Sequence, residues 1–109
     1  MTDKPVVLRE RALRDVEAAV GHYLAEAPEA VALAFSDALE ASLHRMREHP
    51  ASGSPRYARE LDLPGLRSCR VTGFPYLVFY VEGEADIDVW RVLHAARDIP
   101  AWLREPPED

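Results

Sequence analysis

The sequence predicts an α+β domain in which an antiparallel two-helix hairpin packs on a three-strand antiparallel meander. Three observations lead to this prediction. Apolar residues recur at helical spacing in two segments before His49, β-prone segments with short turns follow Gly65, and 48% of all residues are apolar. A chain of 109 residues of this composition is near the commonest domain size, so we expect residues 1–109 to form one domain.

The first half of the chain is predicted to form a short strand and two helices. Residues 5–8, Pro-Val-Val-Leu, are β-prone. Pro28 separates two stretches with the apolar spacing of amphipathic helices, and the second ends at His49 because the residue before a proline disfavours helical geometry. The two apolar stripes comprise Leu13, Val16, Val20, Tyr23 and Leu24, then Val31, Phe35, Ala38, Leu39, Ser42, Leu43 and Met46. The short connection makes them an antiparallel hairpin.

The second half is predicted to be mostly β-structure. Residues 50–65 hold three prolines and two glycines and are expected to be a loop with little regular structure. The strands of the meander are predicted at residues 66–71, 76–81 and 86–94. Residues 95–103 are expected to form a short turn or helix that seats Ile99 and Trp102 against the core, and the acidic residues 105–109 a mobile tail.

Composition narrows the class of function. The formal net charge of −6 argues against binding nucleic acid through phosphate contacts, so no direct sequence-specific nucleic-acid binding is expected. The sequence has neither a signal-peptide pattern nor an apolar run near the ~20 residues that cross a bilayer. The single cysteine, Cys69, cannot form an internal disulfide. We therefore expect a cytoplasmic protein that does not engage a membrane.

No strong catalytic or metal-binding motif is present. The sequence lacks a glycine-rich phosphate loop, a cysteine cluster and a His-Glu-x-x-His pair, so neither a cofactor nor a metal is expected. Of the four histidines, His22, His44 and His49 have the spacing of helix-surface or helix-end residues. His94 ends a predicted strand and could act as a general acid or base, although a histidine at the edge of the core is the more common case.

Four arginines of the second half are the stronger candidates for function. Arginine binds phosphate and carboxylate groups through paired hydrogen bonds. The candidate partner-binding residues are Arg67, Arg70, Arg91 and Arg97. The alternative is that each pairs with a local acid such as Asp62, Asp88 or Asp98. Trp90 and Trp102 are expected to anchor the core rather than to stack on a ligand.

Several short motifs, in this order and spacing, resemble the RelE/ParE toxin superfamily of type II toxin–antitoxin systems. The motifs are Glu48–Pro50 at the end of the second helix, Leu66–Val71, Gly73–Tyr80 and Arg91–Asp98. The resemblance extends from about Val6 to Trp102. It implies a cognate, ParD-like antitoxin that forms a hetero-oligomer with the toxin and folds its tail onto the helix hairpin and sheet.

The resemblance leaves a choice between two branches. Members of the RelE-like branch cleave messenger RNA on the ribosome and commonly carry an arginine in the central strand, where this chain has Leu77. No tyrosine or histidine follows Arg97, and Lys4 is the only lysine. These departures favour the ParE-like branch, whose characterised members inhibit DNA gyrase without catalysis of their own.

Three functions follow from this comparison. The first is a ParE-like toxin that inhibits DNA gyrase by binding, has no catalytic residues and is neutralised by its antitoxin. The second is a RelE-like, ribosome-dependent mRNA endonuclease that uses Arg70, Arg91 and His94 in an altered site. The third is an inactive toxin-like domain retained as a binding module.

Overall fold

A computed structural model describes residues 4–104, and the expected mobile tail at residues 105–109 lies outside this part of the chain. The predicted α+β class, helix hairpin and meander are confirmed. The elements are β1 (Val6–Leu8), α1 (Glu10–Glu26), α2 (Glu29–Glu48), α3 (Arg56–Leu61), β2 (Leu66–Arg70), β3 (Tyr76–Glu82), β4 (Ile87–His94) and α4 (Ile99–Leu103). No helix within residues 4–104 combines the length and the apolar character needed to cross a membrane.

The sheet contains four strands in the order β1-β4-β3-β2. Strands β2, β3 and β4 form the predicted antiparallel meander. The opening strand β1 joins it, parallel to β4, with Val6 opposite Ile87 and Leu8 opposite Val89. The mixed sheet places β1 and the helix that follows it beside β4. Residues far apart in sequence therefore meet along this edge.

Helix α2 covers one face of the sheet with large apolar side chains. Phe35 is fully buried, and Met46 is 2% exposed. They belong to an inner cluster between the helix hairpin and the sheet, which also includes Leu39, Val71, Tyr76, Val78, Tyr80, Ile87, Val89 and Val92. Burial of this apolar surface holds the hairpin on the sheet.

Helix α1 packs on the inner cluster through the buried Ala12 and Ala19 and through Val16, Val20 and Tyr23 of its predicted apolar stripe, which are partly buried. Ala12 is fully buried and Ala19 is 2% exposed, whereas Leu13 and Leu24 are 51% and 54% exposed. The prediction that these two leucines face the core was wrong. Alanine lets the helix backbone approach the sheet closely, and this rotation of α1 leaves the two leucines on its outer side.

The opposite face of the sheet is covered by α3 and α4. An outer cluster on this face consists of Leu66, Phe79, Leu93 and Ile99, with Tyr57, Leu77, Trp90 and Trp102 packed against it. The prediction that residues 50–65 lack regular structure was wrong, because Pro50–Ser52 forms a 3₁₀ turn and residues 56–61 form α3. A proline is compatible with the first turn of a helix, where its missing N–H is not needed, so Pro50 and Pro55 introduce helices here.

The segment between the 3₁₀ turn and α3 is fixed to β3 by Tyr80. The Tyr80 hydroxyl donates to the Pro50 carbonyl oxygen at 2.7 Å and accepts from the Gly53 N–H at 3.1 Å. A Cβ atom on Gly53 would overlap this hydroxyl, which explains the glycine. Burial raises the pKa of the Tyr80 phenol above its ordinary value.

Candidate functional site

A groove runs along α1 and is bounded by the ends of β3 and β4 and by α4. Its two adjoining parts have volumes of about 400 Å³ and 300 Å³ and share Asp15, Ala18 and Arg97. We call it the α1 groove. Its charged and aromatic lining includes Arg11, Arg14, His22, His94, Arg97 and Trp102.

A buried ion pair lies at the base of the α1 groove. Arg91 donates from Nε and Nη2 to the two carboxylate oxygens of Asp15, both at 2.8 Å. The side chains of Arg91 and Asp15 are only 10% and 13% exposed. Arg91 Nη1 also donates to the Trp102 carbonyl oxygen at 3.2 Å. This paired, largely desolvated geometry ties α1, β4 and α4 together.

Asp15 also accepts a hydrogen bond from a backbone N–H of β4 at the edge of the sheet. Strand β1 pairs with β4 only as far as Val89. Beyond that point the Val92 N–H donates to Asp15 Oδ2 at 2.9 Å. The carboxylate thus accepts a backbone donor where no strand is present, as buried N–H groups require.

Arg91 does not pair with an acid close to it in sequence, as the alternative in the sequence analysis supposed; its partner is Asp15. Asp15 precedes Arg91 by 76 residues. Two of the acids considered there have other partners. Arg9 Nη2 donates to Asp88 Oδ2 at 2.7 Å, and Asp98 accepts from the Ala101 N–H at the start of α4. The orientation of α1 on the sheet brings Asp15 to β4. The spacing of residues in the sequence therefore could not predict the Asp15–Arg91 pair.

The four candidate partner-binding arginines do not form one surface. Arg91 is engaged inside the protein, as described above. The guanidinium of Arg97 lies across the Trp102 ring, 4.1 Å from its centroid, in the α1 groove. At the far edge of the sheet, Arg67 Nη1 donates to the Gly53 carbonyl oxygen at 2.8 Å, and Arg70 is exposed at the end of β2. Arg70 and Arg97 are thus the two of the four that are exposed.

The residues of the nuclease alternative point in different directions. Arg70 is in register with Leu77, and Leu77 with Leu93, and both leucines belong to the outer cluster. His94 is in register with Tyr76, which belongs to the inner cluster. Because residues paired across strands share a face, Arg70 and His94 project from opposite faces of the sheet. The structure does not bring them together.

His94 is held at the edge of the core. Its ring packs against Tyr76 with the centroids 5.2 Å apart, and its Nδ1 accepts from the Ala96 N–H at 3.0 Å. On the exposed side of α2, His44 Nε2 lies 3.4 Å from Glu48 Oε1. Within residues 4–104 no three histidine, cysteine or acidic side chains are grouped as metal ligands.

Both tryptophans pack partly into the outer cluster. The Trp90 indole N–H donates to Asp88 Oδ2 at 3.2 Å, and the Arg9 guanidinium lies 4.8 Å from its ring centroid. Trp102 contacts the Arg97 guanidinium in the same manner. Each ring therefore buries one side and carries an arginine on another, a geometry that stabilises the charge near an aromatic face.

The outer side of the helix hairpin carries exposed leucines. Leu13 and Leu24 of α1 lie about three helical turns apart and so project from the same side of the helix. On α2, Leu33 is 59% exposed. These exposed leucines are candidate contacts for a protein partner.

The comparisons with known proteins agree with this architecture. The model of the family described as the ParE toxin of the type II toxin–antitoxin system parDE matches residues 6–99. No curated protein matches the sequence significantly. A solved chain described as the chromosomal ParDE TA system from P. aeruginosa is similar in structure, with a TM-score of 0.70 and 16% identity over 84% of this chain and 96% of that chain. At this identity the likeness shows the fold alone, but the family match covers most of the sequence. The chain therefore belongs to the ParE toxin family of type II toxin–antitoxin systems.

Proposed function

We propose that this toxin inhibits DNA gyrase by binding and that a cognate, ParD-like antitoxin neutralises it in the cytoplasm. The observation that carries the proposal is the placement of the groups that an mRNA endonuclease would need. Arg91 is bound to Asp15, and Arg70 and His94 lie on opposite faces of the sheet. Cleavage of RNA requires a proton-transfer group and a phosphate-binding group around one phosphate. Inhibition of gyrase by binding requires only a surface that contacts the enzyme.

The antitoxin is proposed to bind the outer side of the helix hairpin. Leu13, Leu24 and Leu33 offer apolar surface there, and a peptide segment that orders on binding gains its affinity largely by burying such surface. The net charge of −6 does not favour an acidic antitoxin tail. We therefore expect apolar burial, assisted by exposed arginines such as Arg70 and Arg97, to supply the attraction within the hetero-oligomer.

Expression of the chain alone in bacteria should arrest growth, and co-expression of its antitoxin should restore it. The antitoxin is to be sought in the short reading frame next to the toxin gene. The measurement is viable count against time after induction, with the amount of soluble toxin quantified in parallel. The empty vector serves as the control for induction. A chain that accumulates in soluble form without slowing growth would contradict the proposal and favour the inactive binding module.

The same cultures separate the proposed function from the nuclease alternative. Mapping of transcript ends after induction should show intact messenger RNA, together with loss of negative supercoiling in a reporter plasmid. A RelE-like enzyme would instead produce transcript ends within ribosome-bound coding sequences while leaving plasmid supercoiling unchanged. New ends of that kind would remove the gyrase proposal.

A further inference from the structure

We propose that the larger part of the α1 groove binds the phosphate group of a small molecule, either inorganic phosphate or a small phosphate monoester. We call this part the histidine pocket. It has a volume of about 400 Å³, and its polar lining consists of Asp15, His22, Tyr76, His94 and Arg97. The inference does not depend on gyrase being the target, because it rests on the groups in this pocket alone.

A buried tyrosine without a hydrogen-bond partner is the first observation. Tyr76 lines the pocket and is 9% exposed, and its ring contacts those of Tyr23, Phe35 and His94. Its hydroxyl makes no hydrogen bond to any residue from 4 to 104, and the oxygen is not fully enclosed. A tyrosine with a buried ring usually places its hydroxyl on a partner, as Tyr80 does. The Tyr76 hydroxyl is therefore available to donate to a ligand.

His94 provides a second donor. Its Nδ1 accepts from the Ala96 N–H at 3.0 Å. An accepting nitrogen carries no hydrogen, so the hydrogen of the neutral ring is on Nε2. The ring packs against Tyr76 with the centroids 5.2 Å apart, so the two donors belong to neighbouring side chains. His94 can therefore donate to a ligand without first becoming charged.

Arg97 provides the positive charge. Its guanidinium lies 4.1 Å from the centroid of the Trp102 ring. Stacking engages one face of the guanidinium, whereas its N–H groups point outward in the plane of the group. In the part of the chain that the structure describes, no carboxylate pairs with Arg97. The N–H groups are therefore available to an anion, and Trp102 restricts the movement of the side chain that carries them.

These groups favour an anionic ligand with several acceptor oxygens. The carboxylate in the pocket, Asp15, already accepts from two nitrogens of Arg91 and from the Val92 N–H. Its charge is thus compensated within the protein. A ligand meets the three donors described above and the charge of Arg97, and hydrogen bonds between a charged donor and an oxyanion are among the strongest in proteins.

The placement of the donors favours phosphate over carboxylate. Tyr76 begins β3, His94 ends β4, Arg97 follows in the next turn, and His22 lines the pocket from α1. A phosphate group directs its oxygens to several sides, whereas the two oxygens of a carboxylate lie in one plane. The net charge of −6 disfavours a long polyanion such as nucleic acid, so we expect a small molecule.

The test is a titration of the full-length chain with inorganic phosphate, at one fixed pH and with NaCl added to keep the ionic strength constant. ¹H–¹⁵N NMR follows the Arg97 Nε–H, the His94 ring and the Ala96 backbone N–H. We expect these signals to shift together and to saturate, while the signal of Arg59, an exposed arginine of α3, stays in place. Shifts that do not saturate, or that are equal at Arg97 and Arg59, would overturn the proposal.

Two variants with matched controls locate the site. Tyr76→Phe keeps the ring and should weaken phosphate binding at least about fivefold, because a hydrogen bond to a charged group is lost. Tyr57→Phe makes the same change in the outer cluster and should leave the Kd unaltered. Arg97→Gln should weaken binding at least about tenfold, whereas Arg59→Gln, with the same change in net charge, should not. An unaltered Kd in both Tyr76→Phe and Arg97→Gln would exclude the site.

Two further probes define the ligand. Acetate should bind at least about fivefold more weakly than inorganic phosphate, because it has fewer acceptor oxygens and a smaller charge. Acetate binding as tight as that of phosphate would assign the pocket to a carboxylate, such as an acidic side chain of a partner protein, and would overturn the proposal. Glycerol 3-phosphate separates the two sources of phosphate. Tighter binding than that of inorganic phosphate supports a monoester, and weaker binding supports the free ion.

Discussion

Replacing Asp15 with alanine is expected to lower the free energy of unfolding by about 3–5 kcal/mol, the usual effect of removing one partner of a buried ion pair. Arg91 is 8% exposed and would remain buried without its bidentate carboxylate. The Val92 N–H would lose its acceptor as well. Because Asp15 connects α1 to β4, the loss should appear in the global unfolding transition measured by urea denaturation.

The matched control for this prediction is Glu10→Gln, on the same helix. It breaks the exposed pair with Arg14 and should change the unfolding free energy by less than about 0.5 kcal/mol. The double variant Asp15→Leu/Arg91→Met removes both charges and should recover most of the stability lost in Asp15→Ala. Similar losses in Asp15→Ala and Glu10→Gln would show that the buried pair does not stabilise the fold.

Replacing Phe35 with alanine should also cost about 3–5 kcal/mol, because it leaves a cavity in a closely packed core. Phe35 is fully buried between the hairpin and the sheet. Its ring centroid lies 5.5 Å from that of Tyr23, 5.3 Å from Phe74 and 5.2 Å from Tyr76. This aromatic cluster joins both helices to the start of β3, so the substitution weakens the packing of the whole hairpin.

Leu33→Ala on the same helix serves as the control for Phe35→Ala. Leu33 is 59% exposed, so its truncation should change the unfolding free energy by no more than about 0.5 kcal/mol. Thermal or urea unfolding of both variants provides the comparison. Comparable destabilisation by the two substitutions would contradict the described orientation of α2.

The helix hairpin and the meander could be predicted because their apolar periodicities are long and distinct. Residues 76–81 of β3 point alternately into the two clusters, and their aromatic character predicted a buried strand. Helix α3 could not be predicted in this way. It has only six residues, and the prolines around it are equally typical of a loop and of a helix start.

The rotation of α1 was the main feature that the sequence did not specify. Leucine is more apolar than alanine, so Leu13 and Leu24 were expected to face the core ahead of Ala12 and Ala19. Packing against a sheet favours small residues where the backbones approach, and that requirement appears only once the two elements are placed together. The same rotation exposes leucines that are available to a partner.

The Asp15–Arg91 pair could not be predicted for a related reason. Strand β1 joins β4 in parallel and places the start of α1 beside it, an arrangement set by topology rather than by local spacing. Leu77, in contrast, was informative from sequence alone. It lies half-buried against the outer cluster, in register with Arg70, where an arginine would be expected in the RelE-like branch.

A supercoiling assay with purified components provides the most direct test of inhibition by binding. DNA gyrase is incubated with relaxed plasmid and increasing amounts of the full-length toxin, whose folding is checked by circular dichroism. Inhibition of supercoiling should rise with toxin concentration and be reversed by the cognate antitoxin. Normal supercoiling in the presence of excess folded toxin would contradict the proposal that this chain acts on gyrase.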